Sequence, residues 1–535
     1  MSRRWRWTLG ALALLIVLVI AVPFVAEKPL RRVAERQLNG CVKGYTAQIG
    51  ALDLRPLGLS VHLRDLHIVQ DAHPDAPIVR IPRISTDLQL TPILRGRIVA
   101  SVLVVEAQVD ARRAHVAREM ESPSVVVKDC ALLKALRVVY AIDLVRLRDA
   151  SVNYVDHGEA RPLTVRALNV DVRNIRMGES GPDAYPSPLT VEAAVFDDGR
   201  LRVDGAADLL REPYPAFKGR MEMAGVALDR LGPLAAPYGL SVGRGTLEIA
   251  GSVEYSPDVK VVDLEYANVD GLQADYAYRK ASARPVKEAV KEAVKEAAAK
   301  AQEVTSAPGV RLAARRIGIK DATVGFVNED VQPAYRVYLS DIDAQMENVT
   351  SRLTEGTMTA RVTARFMGSG QTEVTATIRP EADGPDFDLS IRIEETDVRR
   401  MNDLLRAHGD IDVASGLFSV YSELHVKNGR VAGYVKPLIH DLKFYEPQQD
   451  REKSVGQRLK EKAADIVSKL LRNRPRQDIA TVAPIAGPLQ HPKADTWETM
   501  VNLVQNAFVK AILPGFVGDE GAGAGPPSSR RAPPA

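Results

Sequence analysis

Histidine is the side chain best suited to acid–base chemistry near neutral pH, and nine histidines are spread along this chain. His440 precedes Asp441, and His157 follows Asp156, each pair at the end of a predicted strand. Catalysis would require a nucleophile beside such a pair, but the sequence has no GxSxG, HExxH or clustered Asp/Glu pattern. We therefore interpret these histidines as surface or turn residues and expect that the protein is not an enzyme.

Sequence motifs for phosphate, metal ions or a disulfide framework are also missing. Gly243 and Gly245 form a Gly-x-Gly pattern, but no helix follows them, so turn or bulge glycines explain the pattern better than a phosphate site. Cys41 and Cys130 are too few for a framework; they either pair in an oxidising compartment or remain free thiols. No Cys/His spacing is typical of a metal site. We expect no cofactor and no metal.

Length and composition limit the class of protein. The 535 residues exceed a single ordinary core, so two to four units or an elongated repeat are expected. Lys and Arg number 71 and Asp and Glu 68, no long basic block occurs, and aromatic residues make up 5%. Nucleic acid is therefore not an expected partner. The hydrophobic fraction of 45% is normal for folded protein.

The N-terminus predicts a membrane anchor. An uncharged apolar run over residues 8–26 is about long enough to span a bilayer as a helix. Trp5 and Trp7 precede it, where an interfacial aromatic belt would lie. The alternative is a cleaved signal peptide, but the run ends without a small-x-small cleavage site, which favours an uncleaved anchor. A juxtamembrane helix follows, up to residue 39.

The orientation of the anchor is not decided by charge, because basic residues lie on both sides of the apolar run. The N-terminal tail is very short and the C-terminal body is large, so we expect the body to be external. In a bacterium this places the protein in the inner membrane, with a single span and a large periplasmic region. A reporter after Ala535 that is active only in the cytoplasm would contradict this topology.

From residue 47 onward, apolar and polar residues alternate in short runs between Gly, Asp-Gly and Pro, which predicts β-strands with one apolar face. Residues 189–208 illustrate the pattern, because two alternating runs flank the Asp198-Gly199 turn and predict a hairpin. The fold class is therefore mainly β with flanking helices. One face of each strand is apolar and the other is charged, as in an antiparallel sheet that is wet on one side.

An internal repeat organises these strands. RDASVNYVDHG, over 148–158, recurs as KDATVGFVNED, over 320–330, and similar strands follow each copy at a period of about 170 residues. Each copy ends in an amphipathic segment, over 286–300 and 454–473. The predicted segments are an anchor with its juxtamembrane helix (1–39), a partial β module (40–140), a first module (141–303), a second module (304–475), a C-terminal strand and helix (476–516) and a disordered tail (517–535).

Four segments carry a resemblance to a known family. They are LRPLGLSVHLRDLHI, TPILRGRIVASVLVVEAQVDARR, GYVKPLIHDLKFY and APIAGPLQHPKADTWETMVNLVQNAFVKA. In this order after an anchor they resemble the AsmA-like superfamily of bacterial envelope proteins, in a branch known mainly as a domain of unknown function. The resemblance implies an elongated, taco-like antiparallel sheet with an apolar inner groove. It also implies a periplasmic role in moving phospholipid toward the outer membrane.

The apolar strand positions are then candidate groove residues, with phospholipid as the implied ligand and the inner membrane as partner through the anchor. They are Leu201, Val203, Leu247, Ile249, Val253, Phe418, Val420 and Leu424. Alternation alone fits a closed β-core equally well. The alternative function is accordingly a non-enzymatic scaffold or assembly factor for outer-membrane or envelope proteins. Phe418→Asp discriminates, because loss of lipid without unfolding favours a groove, and unfolding favours a core.

Overall fold

Alternating sequence produces long strands throughout the described part of the chain. The structure is a computed structural model that describes residues 27–40, 44–55, 58–93, 98–113, 140–155, 161–175, 185–209, 211, 215–236, 239–256, 259–278, 310–350, 356–380, 386–409, 412–444, 479–480 and 482–488. Of the predicted mainly β fold with flanking helices, the mainly β character is confirmed in these ranges, where helices are few.

Elements up to residue 278 begin with a helix, α1, over residues 27–39. The strands and helices that follow are β1 (Tyr45–Arg55), β2 (Ser60–Gln70), β3 (His73–Leu88), α2 (Leu90–Ile93), β4 (Ile98–Val105), β5 (Gln108–Arg112), β6 (Tyr140–Val155), β7 (Leu163–Ile175), β8 (Ser187–Val195), β9 (Gly199–Asp208), β10 (Ala216–Ala227), α3 (Gly232–Ala235), β11 (Leu240–Tyr255) and β12 (Lys260–Tyr278). A 3-10 turn, Leu228–Leu231, joins β10 to α3.

The elements after residue 309 repeat much of this order. They are β13 (Val310–Asn328), β14 (Tyr335–Thr350), β15 (Met358–Phe366), β16 (Gly370–Arg379), β17 (Asp386–Asp397), α4 (Asn402–Gly409), β18 (Val413–Lys427), β19 (Arg430–Phe444), β20 (Ile479–Ala480) and β21 (Ala483–Pro488). The 3-10 turn Val398–Met401 precedes α4. The chain forms two compact units, the first of Met1–Ala274, Gln302–Ala322 and Glu347–Arg352, the second of Asp275–Ala301, Thr323–Met346 and Leu353–Ala535.

In the first unit, the strands form a mixed sheet. Strands β1 to β3 and β6 to β11 pair with their sequence neighbours in antiparallel fashion. Strands β4 and β5 pair antiparallel with β3 but parallel with β6. The expectation of an entirely antiparallel sheet is therefore wrong here. Parallel neighbours need a long crossover connection, and residues 114–139 supply that length between β5 and β6.

The second unit contains an antiparallel series. Strands β15 to β19 pair in sequence order, and the far edge of β19 pairs with β20 and β21. The predicted C-terminal strand is thus present as β21. The hairpin predicted around Asp198-Gly199 is also confirmed in the first unit, because β8 and β9 pair from Val195 and Gly199 outward.

The backbone repeats along with the sequence. Strands β6 to β12 of the first module correspond in order to β13 to β19 of the second, each with a 3-10 turn and helix at the same place. Left-handed residues recur at equivalent positions: Gly245 has φ 136° and Gly416 φ 153°. Phe196, at φ 59°, corresponds to Met367, at φ 51°. Such backbone values are unfavourable for ordinary side chains, so their recurrence marks equivalent bends rather than chance.

An acidic residue in the left-handed region, followed by a buried apolar residue, occurs at five places in or between strands. The acidic residues have φ values of 47° to 55°, and they are Asp65, Glu106, Asp149, Asp321 and Asp341. The buried residues that follow them are Leu66, Ala107, Ala150, Ala322 and Ile342. One such residue breaks the two-residue alternation and bends the strand. Two of the five lie before residue 140, so the partial module contains the same local bend.

Helix α1 covers the outer edge of β1. An edge strand leaves every second backbone group unpaired and invites pairing with another chain. Side chains of α1 satisfy these groups on β1 through four hydrogen bonds, which are Asn39 Nδ2 to Ala47 O (3.2 Å), Ala47 N to Asn39 Oδ1 (2.6 Å), Ile49 N to Glu35 Oε1 (3.0 Å) and Arg31 Nη1 to Gly50 O (2.7 Å). The predicted juxtamembrane helix therefore packs on the first strand.

Several predictions concern residues outside the described ranges. They are the anchor over 8–26, the closing helices over 286–300 and 454–473, the C-terminal helix, the tail, His157, Cys41 and Cys130. Among the helices that the structure does describe, none combines the length and the apolar character that a membrane span requires.

Asp397→Ala is expected to lower the free energy of unfolding by about 1 kcal/mol, because Asp397 caps the turn before α4. Its Oδ1 accepts a 3.0 Å hydrogen bond from the backbone N of Arg399. Urea titration of the full chain measures the loss. Asp397→Asn is the control, because it keeps a capping acceptor and should lose less than half as much.

This cap should also depend on pH. Hydrogen bonds from Arg399 hold the pKa of Asp397 below its usual value. The stabilisation is then fully present above the pKa of an unfolded carboxyl, about 4, and is lost as the pH falls through the lower folded pKa. An Asp397→Ala penalty that stays constant down to pH 2 would contradict this assignment.

Candidate functional site

Strands β8 to β11 of the first module align their apolar residues in rows. In one row, Leu201 lies opposite Ala193 on β8 and Met223 on β10, and Met223 lies opposite Ile249 on β11. The alternation of side chains puts these residues on the same side of the sheet. We call this surface the first-module face; its larger apolar residues are Leu189, Val191, Leu201, Val203, Met221, Met223, Leu247, Ile249 and Val253.

Glycines interrupt the next two rows. Gly205 and Gly219 lie directly opposite each other on β9 and β10, and Gly219 also faces Val253. A Cβ added to Gly205 would overlap the carbonyl oxygen of Lys218. Adjacent backbones therefore approach closely on the apolar side, which requires glycine for steric reasons. No side chain projects from the face at these two positions.

The five predicted residues of the first module all lie on this face, and only one of them is fully buried. Val203 is 8% exposed. Leu201, Leu247, Ile249 and Val253 are only partly buried. Met221 and Met223, also partly buried, complete the face and were not predicted. The alternation in RMEMAG is the signal that could have identified them.

The three predicted residues of the second module lie in a closed core. Phe418 and Val420 are each 3% exposed, and Leu424 is 0% exposed. Phe418 and Val420 pack in a cluster with Met401 and Leu404, which are contributed by the 3-10 turn and by α4. The predicted site is therefore divided: five residues belong to a partly open surface and three to a hydrophobic interior.

The covering helices explain this difference. In the second module, the 3-10 turn buries Val398 and Met401, and the amphipathic α4 has eight residues. In the first module, neither the 3-10 turn nor the four-residue α3 buries any residue. Side-chain size at equivalent positions does not explain it: Phe418 and Leu424 are larger than Leu247 and Val253, but Val420 and Thr372 are smaller than Ile249 and Leu201. The larger cover therefore closes the second module.

The opposite side of the first-module strands is occupied by ion pairs. Arg220 binds Glu265 with both guanidinium nitrogens, at 2.6 and 3.0 Å, and Arg202 binds Glu192 at 2.6 Å. The hydrogen bond from Arg220 holds the pKa of Glu265 below its usual value. These side chains are solvent-exposed, so each pair contributes little stability. The ion pairs mark the solvent-facing side of the sheet, so the candidate site is the opposite, apolar side.

A histidine–carboxylate pair that sequence reasoning missed lies on the second module. His425 Nδ1 is 2.7 Å from Asp388 Oδ1, and Arg379 donates to the other oxygen of Asp388. The hydrogen bond with His425, and after it the one from Arg379, hold the pKa of Asp388 below its usual value. The pair is exposed and shares its carboxylate with an arginine, so we interpret it as a surface ion pair.

The first-module face therefore presents a partly exposed apolar surface, while nothing in the described ranges is arranged as a metal site. Within those ranges, no group of three or more His, Cys, Asp or Glu residues could hold a metal ion. Neither a scan against protein-family models nor a search of the curated proteins finds a match for this chain.

Proposed function

We propose that this chain is an inner-membrane-anchored periplasmic protein that binds or transfers phospholipid along an apolar β surface during envelope biogenesis. The observation that supports this proposal is the partly exposed first-module face. Four of its predicted residues, Leu201, Leu247, Ile249 and Val253, are incompletely covered. Their counterparts in the second module are buried, so the exposure distinguishes one module from the other.

The dimensions and energetics of the face suit an acyl chain. Adjacent strands lie about 4.8 Å apart, so a row across β8 to β11 extends for about 14 Å. Each methylene that such a row removes from water contributes about 0.8 kcal/mol. Gly205 and Gly219 carry no side chains, so the face is lower at these two residues than at the neighbouring methionines and Val253. This lower strip forms a path along the face. A flexible hydrocarbon chain can follow this path more readily than a rigid ligand.

Photo-crosslinking in living bacteria tests the proposal on the full chain. With p-benzoylphenylalanine at position 249, we expect phospholipid adducts at least about fivefold above those from position 252. Ser252 is the matched control, because it lies on the same strand and is exposed on the charged side. Leu201→Asp should reduce the adduct at position 249, because a carboxylate in the apolar row must be desolvated when a lipid binds. Equal lipid adducts from positions 249 and 252 would contradict the proposal.

A scaffold or assembly role is the second candidate, and the filled core of the second module favours it. Phe418 and Leu424 are buried there, and a filled core of this kind suits a structural role. The same crosslinking experiment separates the two functions. Protein adducts at position 249 in place of lipid adducts would support the scaffold role.

A further inference from the structure

An arginine cluster lies at one end of the first-module face. Asp197, in the turn between β8 and β9, binds three arginines. Its carboxylate is 2.6 Å from Arg166 Nη2 and 3.4 Å from Arg161 Nη2, and it also accepts from Arg230 Nη2. The preceding residue, Phe196, belongs to an apolar cluster that includes members of the first-module face. Cationic groups and apolar surface therefore meet at this turn.

The cluster has more hydrogen-bond donors than Asp197 can satisfy. Three guanidinium groups share one carboxylate, which leaves an excess of positive charge. The Arg230 side chain is only 10% exposed, and its Nη1 is buried without a hydrogen-bond partner. Asp198 and Asp229 are nearby in sequence, but both are exposed, and neither pairs with these arginines. A buried guanidinium nitrogen without an acceptor is costly, so the cluster can accommodate a further anion.

The exposed members of the cluster are accessible to a ligand. The side chains of Arg161 and Arg166 are 69% and 56% exposed. Arginine presents a planar set of donors that matches phosphate oxygens in bidentate geometry. Arg230 is held within the cluster by packing, so it contributes charge at a fixed position. Two reachable arginines and one buried arginine thus form a cationic cluster around the turn at the end of β8, which Arg166 reaches from the charged side of the sheet, because it pairs with Ala194.

The second module lacks this arrangement, as the equivalent positions of the repeat make clear. Gly368 stands where the first module has Asp197. Arg400, the counterpart of Arg230, donates to the backbone carbonyl of Met367 at 3.3 Å. The hydroxyl of Tyr338 fills the space beside Gly368. The arginine cluster therefore occurs in the module with the partly exposed face, and its equivalent is closed in the module with the filled core.

We propose that Arg161 and Arg166, beside the buried charge of Arg230, bind a phosphate group, and that this group is the headgroup phosphate of a lipid whose acyl chains lie on the first-module face. This inference rests on the proposed function and adds the chemical feature that orients the ligand. A phosphodiester carries one negative charge, which the excess positive charge of the cluster neutralises. Its oxygens accept hydrogen bonds from Arg161 and Arg166 while Asp197 retains Arg230.

A competition between two lipids tests this inference on the full chain in non-ionic detergent. The protein carries p-benzoylphenylalanine at position 249 and receives equal amounts of phosphatidylglycerol and diacylglycerol with identical acyl chains. We expect phosphatidylglycerol adducts to exceed diacylglycerol adducts by about tenfold, the preference that one good charge-assisted contact supplies. Arg161→Gln with Arg166→Gln should bring the ratio to about one, with the diacylglycerol adducts unchanged.

Arg361→Gln with Arg365→Gln is the matched control, because these exposed strand arginines pair with carboxylates in the second module. This control should keep the wild-type ratio. A wild-type ratio near one, or a ratio that persists in the Arg161/Arg166 variant, would overturn the inference and leave the proposed function standing. Absence of both lipid adducts would instead defeat the proposed function.

Inorganic phosphate could bind the same arginines as a lipid headgroup. It is therefore added to the competition at the concentration of the lipid. We expect it to leave the phosphatidylglycerol adducts unchanged, because it gains nothing from the apolar face. Displacement of the lipid by equimolar inorganic phosphate would overturn the assignment to a lipid headgroup.

Discussion

Phe418→Ala is expected to lower the free energy of unfolding of the second unit by about 3–5 kcal/mol. Phe418 is 3% exposed and packs against side chains from β17, β19 and the turn before α4. Removing the ring leaves a cavity that a sheet closed by a helix cannot fill by collapse. Leu247→Ala, at the equivalent position of the first module, should cost only about 1 kcal/mol, because Leu247 is already partly exposed.

Hydrogen exchange along β17 and β18, followed during urea titration of the full chain, measures the first loss. Exchange along β10 and β11 measures the second. Equal losses from the two substitutions would mean that the modules are equally closed and would contradict an open first-module face. By the same reasoning Phe418→Asp should unfold the second unit, so it reports on a core and not on lipid binding.

Gly205→Val is expected to destabilise the first unit by about 3 kcal/mol, at the upper end of the usual cost of overpacking. An added side chain would overlap the backbone of Lys218 and Gly219 on the neighbouring strand. Strands β9 and β10 would then have to separate, which breaks the ladder on both sides of the glycine pair. We expect the substitution to remove lipid adducts at position 249 as well, because it also fills the low path across the face.

Gly243→Ala is the control for this prediction. It lies on β11 in the same unit, and a Cβ there would meet its nearest neighbour at 3.8 Å, which is ordinary contact. Its expected effect on stability lies within about 0.5 kcal/mol, as for other surface substitutions. Thermal unfolding measures the stability of the two variants relative to the unsubstituted chain. A Gly205→Val protein as stable as Gly243→Ala would show that the close approach does not restrict side-chain size.

Much of the fold could be predicted from the sequence because its strands are long and strongly alternating. The Asp198-Gly199 hairpin and the recurrence of RDASVNYV as KDATVGFV led directly to paired strands in the same order. The parallel pairing of β4 and β5 with β6 could not be predicted in this way. Strand direction depends on the length and path of the connection, whereas alternation is identical in parallel and antiparallel neighbours.

Only part of the candidate site could be predicted from the alternation of apolar and polar residues. Alternation identified the apolar side of β9, β11 and β18 correctly, but it could not tell a covered face from an uncovered one. That distinction depends on the elements above the sheet: the eight-residue α4 covers Phe418, while the shorter α3 leaves Leu247 partly exposed. The arginine cluster was missed for another reason. Arg161 and Arg166 lie just before and within β7, Asp197 follows β8, and Arg230 lies in the 3-10 turn, so no local spacing joins the four residues.

Helix α1 has a consequence for crowding at a membrane surface. A protein tethered by a short anchor diffuses in two dimensions, where copies meet at high local concentration, and an uncovered strand edge would allow them to join into continuous ribbons. Asn39 and Glu35 occupy the donors of β1 that a second copy would need. We therefore expect the segment that precedes the sheet to block pairing with a second copy at this edge, which would keep the copies separate if the predicted anchor tethers them to a membrane.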